Sequence, residues 1–186
     1  MRVYIPATFA MLEQLNEQGV LHARNGWGFA ATPELTEFFN SGDQEEIEAI
    51  AFDDAALASI RLLAIGDEER FPHRRVVVSA DVDATGEPDM GESVVKVSGP
   101  VELKDVAAVH VDVREAEDAT KRATELIDAA DLGDEDAEEA LQLTSTHNGD
   151  LVLFGQLVHT KNGDDVLQLL VLLQNTDHLL RDSVVT

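Results

Sequence analysis

Between Arg74 and Val101 the chain writes two β-branched runs, RRVVVSADV and ESVVKVSGPV, on either side of the acidic dodecamer DVDATGEPDMGE at 81–92. Branching at Cβ crowds the turns of a helix and suits the pleated surface of a strand. Each run therefore reads as a strand, and the dodecamer as the loop that joins them. A third run, VAAVHV at Val106–Val111, follows at once. An acidic, alanine-rich helical stretch covers 115–143, broken near Gly133 and restarted by Asp134, and LVLFGQLVHT at 151–160 returns to strand. The third strand, these helices and the last strand form one candidate βαβ crossover, which would be right-handed. The expected fold is α+β: a mixed, largely antiparallel sheet with helices packed on it.

The N-terminal third supplies the helices. Arg2 to Ile5 reads as a short strand ended by Pro6. Thr8 is a suitable N-cap for a helix running to about Gln18 and stopped by Gly19, with Phe9, Leu12 and Leu15 as its apolar stripe. In LHARNGWGFAA, the Asn25-Gly26 dipeptide tolerates the positive φ angles of a type I′ turn, so a hairpin is expected there. Thr32-Pro33-Glu34 opens a second helix that stops near Ser41-Gly42. The clearest helix runs from about Asp43 to Ile65, its first turns crowded with Glu45, Glu46 and Glu48. Ile47, Ala51, Asp54, Ala58, Arg61 and Ile65 fall roughly on one face. Asp54 and Arg61 are read as a polar pair on a largely buried helix, bonded through a neighbour.

Two compositional facts bound the function. The net charge of −24 disfavours nucleic acid and anionic membranes as partners, since both require clustered Lys and Arg. The only adjacent basic pairs are Arg74-Arg75 and Lys121-Arg122. The chain has no cysteine, which removes disulfides, thiolate metal sites and a cysteine nucleophile. At 44% hydrophobic residues it is too apolar to be a disordered acidic chain. MRVYIPATFAMLEQL has no apolar core followed by a small-residue cleavage site, and the longest apolar run, Val166 to Leu173, is far too short to span a bilayer. A cytoplasmic protein is expected. Residues 1–160 read as a single domain, and 161–186 as an apolar extension packed on it or on a second copy in a homodimer. THNGD at 146–150 and TKNGD at 160–164 are matching turns, and DVLQLLVLL after the second fits either helix or strand.

MRVYIPAT, DAALASIRLLA, VVVSADV, VVKVSGPV and DVAAVHVD together resemble an actinobacterial protein family of no established function, in patches over about residues 1–157. The resemblance implies a cytoplasmic, actinobacterial setting. It implies no activity and no catalytic residues.

The dodecamer is the main chemical candidate. Its spacing nearly fits a calcium loop, in which Asp81, Asp83, Thr85, Glu87 through its carbonyl, and Glu92 would supply oxygens around the sharp turn at Gly86. Ca²⁺ or Mg²⁺ would be the ion. Both flanks read as strands, so the loop is not an EF-hand. Asp81-Val82-Asp83-Ala84-Thr85 also resembles motif one of the haloacid-dehalogenase-like phosphohydrolases. That resemblance implies Asp81 as nucleophile, Asp83 as acid/base, and Lys161 with Asp164-Asp165 as later motifs. The polar GEPDMGE that follows departs from the family, which places apolar residues there. Glu125 and Asp128, with Glu45, Glu46 and Glu48, are similar to the paired acidic helices of the all-α nucleotide pyrophosphatases, but Ala49 stands where an acid is needed.

The histidines show no ligand spacing, and His110 and His159 lie in apolar runs as core residues do. Trp27 beside the Asn25-Gly26 turn reads as a cap on the core, with a surface anchor as the alternative. Two functions remain: a non-catalytic binding or regulatory protein, or a small metal-dependent hydrolase built on loop 81–92. An enzyme needs converging carboxylates in a concave pocket, and a binding module needs an exposed apolar or charged patch.

Overall fold

The β-branched runs form the middle and flank of one antiparallel sheet. A computed structural model describes residues 1–39, 43–66, 71–112, 114–145 and 158–159. In chain order the elements are β1 (Arg2–Ala7), α1 (Phe9–Gln18), β2 (Val20–Leu21), β3 (Trp27–Phe29), α2 (Pro33–Phe39) and α3 (Gln44–Ile65). Then come β4 (Val76–Asp81), β5 (Ala84–Gly86), β6 (Val94–Val97), β7 (Val101–Glu102), β8 (Val106–Val111), α4 (Glu117–Asp131), α5 (Glu135–Ser145) and β9 (Val158–His159). Seven strands pair in the order β5-β6-β3-β1-β4-β8-β9, and β2 and β7 form a separate two-stranded ribbon. Every described pairing is antiparallel. The fold is α+β, but the described sheet is not mixed.

Helices cover both faces because the strands alternate. Val3, Ile5, Val76, Val78, Val95 and Val109 point to one side, where α1 brings Phe9, Leu12 and Leu15. Tyr4 and Val77 point to the other, against Ile47, Ala51, Ala55 and Ala56 of α3 and Leu35 of α2. A third apolar cluster joins Ile60 to Ala123, Ile127 and Ala130 of α4 and to Ala137 and Leu141 of α5. No helix among the described residues is long and apolar enough to cross a membrane.

The helix ends follow the local chemistry. The Thr8 hydroxyl accepts from the Met11 amide, and Gly19 closes α1 at φ 72°. Thr32 caps α2 through Leu35, and Asp43 and Glu46 form a reciprocal capping box at α3. Gly133, at φ 85°, separates α4 from α5, and Asp134 accepts from the Ala137 amide.

Several strand pairings differ from expectation. Asn25 and Gly26 do adopt positive φ, 53° and 73°, but they make a turn without a hairpin: β2 pairs with β7, while β3 pairs with β1 and β6. Pro6 does not end β1. It lies opposite Val77, and the β1–β3 ladder is short, centred on Tyr4 opposite Phe29, so its missing N–H is tolerated. The dodecamer does not join neighbouring strands either. It contains β5, which forms a hairpin with β6, while β1 and β3 separate β4 from β6.

The βαβ crossover is likewise replaced. β9 runs antiparallel to β8, with Val109 opposite Val158. One crossover helix returns a chain parallel, whereas a packed pair such as α4 and α5 delivers it to the opposite end. Of the strand expected over 151–160, only Val158–His159 is described. The two NGD turns, the 165–173 run and the 161–186 extension lie outside the described residues.

Candidate functional site

Asp81 stands at the last position of β4, directly opposite Arg2 on β1. Its carboxylate accepts two bonds from that guanidinium, from Nε at 2.8 Å and from Nη2 at 3.0 Å. These bonds hold the Asp81 carboxyl below its ordinary value, against a small opposing effect of burial. Next to it the chain start is clamped: the Met1 ammonium donates to the Val82 carbonyl at 2.8 Å, and the Val82 amide donates to the Met1 carbonyl at 3.0 Å.

This corner opens into a cleft of about 440 Å³, to which Asp81, Asp83, Ser98 and Asp105 contribute. Asp105 escaped sequence reasoning. It sits in the short turn between β7 and β8, and only the topology brings it beside the dodecamer. The other three oxygens expected for a calcium loop point to other tasks. Thr85 is in β5 opposite Lys96, the Glu87 carbonyl accepts from the Met90 amide, and the Glu92 carboxylate lies near that of Asp54 on α3. The loop thus stretches into a β-ribbon and does not close around a point. Among the described residues no three carboxylate or histidine side chains gather as a metal-binding group.

The pair expected on α3 is not made. Asp54 accepts from the Ser93 hydroxyl at 2.5 Å, and Arg61 donates to Asp131 of α4 at 3.0 Å. The reason is distance along the helix. Seven residues place Asp54 and Arg61 on one side of α3 but about 10 Å apart along its axis, so the first meets Ser93 and the second meets α4. The buried face of α3 is Ile47, Ala51, Ala55, Ala56, Ser59 and Ile60. Burial raises the Asp54 carboxyl, with the Ser93 bond opposing it. Ile65 belongs to no core and is 65% exposed.

The acidic helix patterns also stay apart. Arg61–Asp131 ties α4 to the C-terminal half of α3, sixteen residues and roughly 24 Å along the axis from Glu45. Glu125 and Asp128 are exposed on α4 and do not meet Glu45, Glu46 and Glu48. His110 is half-buried, with Nε2 3.0 Å from the Ser79 hydroxyl and its ring edge-on to Phe52. His159 is in β9, opposite Ala108. Trp27 is half-buried, and the Lys96 ammonium sits 4.1 Å from its ring centre.

The adjacent basic pair Arg74-Arg75 is turned inward. Arg75 forks onto the buried Asp112, and Arg74 reaches Glu117 at 3.3 Å.

A second region carries the exposed apolar surface. In α2 only Leu35 is buried, while Phe38 and Phe39 are 63% and 42% exposed with their rings edge-on at 5.2 Å. From Asn25 to Ile60 the chain contains no Lys or Arg and eight acids: Glu34, Glu37, Asp43, Glu45, Glu46, Glu48, Asp53 and Asp54. Sequence reasoning missed this. Periodicity gave no signal, since Leu35, Phe38 and Phe39 fall at i, i+3 and i+4 on one helix face, the pattern of a buried stripe.

The chain belongs to DUF6912, a family of unknown function, and the match covers residues 1–155. No curated protein and no solved structure matches it.

Proposed function

We propose that this member of a family of unknown function is a non-catalytic binding or regulatory protein of the bacterial cytoplasm, and that its partner is another protein. The observation that carries this reading is the exposed Phe38–Phe39 pair set in the cation-free, acidic stretch from Asn25 to Ile60. Large aromatic rings held in solvent are costly to a monomer and are the usual anchors of protein interfaces. The net charge of −24 and the inward-turned Arg74-Arg75 pair favour a protein over nucleic acid or an anionic membrane. A homodimer through residues 161–186 is the other form of the same reading.

A photo-crosslinking residue at position 38, introduced into the protein in its own host, tests it. One discrete adduct, absent when the same residue stands at Leu132, supports a defined partner; Leu132 is 88% exposed and makes a fair control. The same ladder from both positions counts against it.

The cleft beside Asp81, Asp83 and Asp105 favours a second reading, a small metal-dependent hydrolase. Calorimetric titration with Ca²⁺ and then Mg²⁺ at about 0.15 M salt decides it, since diffuse attraction is screened there. Saturable micromolar binding abolished by Asp83→Ala and Asp105→Ala supports the hydrolase. Weak heat unchanged by both removes it.

A further inference from the structure

The α2 surface has a shape and charge that narrow the partner. Phe38 lies one turn beyond Glu34 on the same side of α2, and the Glu34 carboxylate sits beside Gly86 of the outermost described strand, β5, at that edge of the sheet. Phe39 and Asp43 are four residues apart, so their Cα atoms are separated by at most about 14 Å whatever path the chain takes. The first turn of α3, with Glu45 and Glu46 exposed, therefore begins within about 14 Å of Phe39. Phe38 thus has Glu34 and Glu37 beside it on α2 and the exposed acids of the α3 start close by, in a stretch from Asn25 to Ile60 that itself carries no Lys or Arg.

We infer that this surface docks a basic amphipathic segment of another protein, with Phe38 against the segment's apolar face and its Lys and Arg side chains against Glu37 and Glu45. The inference rests on the binding-protein reading and specifies its partner. Charge complementarity selects the occupant. An acidic segment would place like charges together, and a second copy of this chain would bring a net charge of −24 against another −24. A basic segment removes the repulsion among the acids and covers the exposed rings in one event.

The test uses the full chain and three synthetic peptides of equal length: a Leu/Lys amphipathic helix, a Leu/Glu amphipathic helix, and a Lys/Ser peptide of the same positive charge with no apolar face. Binding is read by fluorescence anisotropy at several salt concentrations, with sedimentation to report self-association. The expected result is saturable binding of the Leu/Lys peptide alone, weakened about tenfold by Phe38→Ala. The double variant Glu37→Lys/Glu45→Lys should weaken it further and flatten its dependence on salt. Phe38, Glu37 and Glu45 are exposed, so the variants should keep the wild-type melting temperature, which is measured alongside.

Equal binding of the Lys/Ser peptide, unaffected by Phe38→Ala, would reduce the effect to diffuse attraction and overturn the inference. Phe38-dependent binding of the Leu/Glu peptide, or Phe38-dependent dimers, would overturn the basic partner while leaving a binding protein. No Phe38-dependent association of any kind would sink both readings.

Discussion

Arg75 and Asp112 face each other one rung beyond the end of the β4–β8 ladder, where Val76 lies opposite Val111. The carboxylate accepts from Arg75 Nε at 2.9 Å, from Nη2 at 3.0 Å and from the Arg75 amide at 3.0 Å, while the Asp112 amide donates to the Arg75 carbonyl at 3.1 Å. Thr120 of α4 adds its hydroxyl at 3.1 Å. Both charged side chains are almost wholly buried. One carboxylate thus fastens the start of β4, the end of β8 and the first half of α4.

A buried pair of this kind is costly to break from one side. Asp112→Ala removes the carboxylate that accepts two bonds from the buried Arg75 guanidinium and should destabilise the protein by about 3–5 kcal/mol. The double replacement Arg75→Met/Asp112→Leu removes both charges and should cost less than the single one. Urea denaturation of the three proteins checks this. A double variant as unstable as Asp112→Ala would show that loss of the pair itself, and not an uncompensated buried charge, sets the cost.

Ser59 is the point where α3 is sewn to the sheet. Its hydroxyl donates to the Ala7 carbonyl at 2.9 Å and accepts from the Val76 amide at 2.9 Å, in full burial. Ser59→Ala leaves a buried N–H and a buried C=O unpaired, and about 1–3 kcal/mol should be lost. Hydrogen exchange gives the sharper readout. The Val76 amide should lose protection more than the amides of Val77 and Val78; uniform loss across β4 would point to global destabilisation only.

At Gly28 the backbones and side chains meet too closely for any other residue. A Cβ there would lie 2.7 Å from Val3 Cγ1, inside the fully buried core. Gly28→Ala should therefore cost about 1–3 kcal/mol through overpacking. At Gly86 a Cβ would meet only the flexible Glu34 carboxylate at 3.7 Å, so Gly86→Ala serves as the control and should change little. Adding Val3→Ala to Gly28→Ala should recover part of the loss, because the two changes share one space.

What was legible in the sequence was local. Thr8 and Gly19 around α1, Asp43 before α3, and Gly133-Asp134 between α4 and α5 each act on their own few residues, and each was found. β8 was legible too, as a β-branched run of the right length. Strand partnership was not, because it joins distant segments: nothing near Asn25-Gly26 says that Val20 will pair with Glu102. The dodecamer misled for the same reason. Its spacing fits a cation loop, yet β6 takes residues 84–86 as a partner and stretches the loop. On α3, hydrophobic periodicity could not decide between two neighbouring stripes, and Asp54 and Arg61, two turns apart on one side of the helix, each took a partner from a different distant segment. Asp105 joins the Asp81 cleft only through the fold.

Asp81 and Asp54 should move stability with pH in opposite directions. Bonding to Arg2 holds the folded Asp81 carboxyl below its unfolded value. Its contribution is present above the unfolded value and is lost as pH falls through the folded one. Because the pair is exposed, Asp81→Asn should cost only about 0–1 kcal/mol at neutral pH, and the difference from wild type should vanish in acid. Burial instead raises the folded Asp54 carboxyl. The ionised form is then a penalty that is absent below the unfolded value, grows as pH rises through the folded one, and is full above it. In Asp54→Asn the amide oxygen can still accept from Ser93, so the variant should be more stable than wild type at neutral pH and equal to it in acid. Thermal melts of the three proteins from about pH 2 to 7, bracketing the ordinary carboxylate range, measure both. A neutral-pH loss for Asp54→Asn would mean that its bond to Ser93 requires the full carboxylate charge.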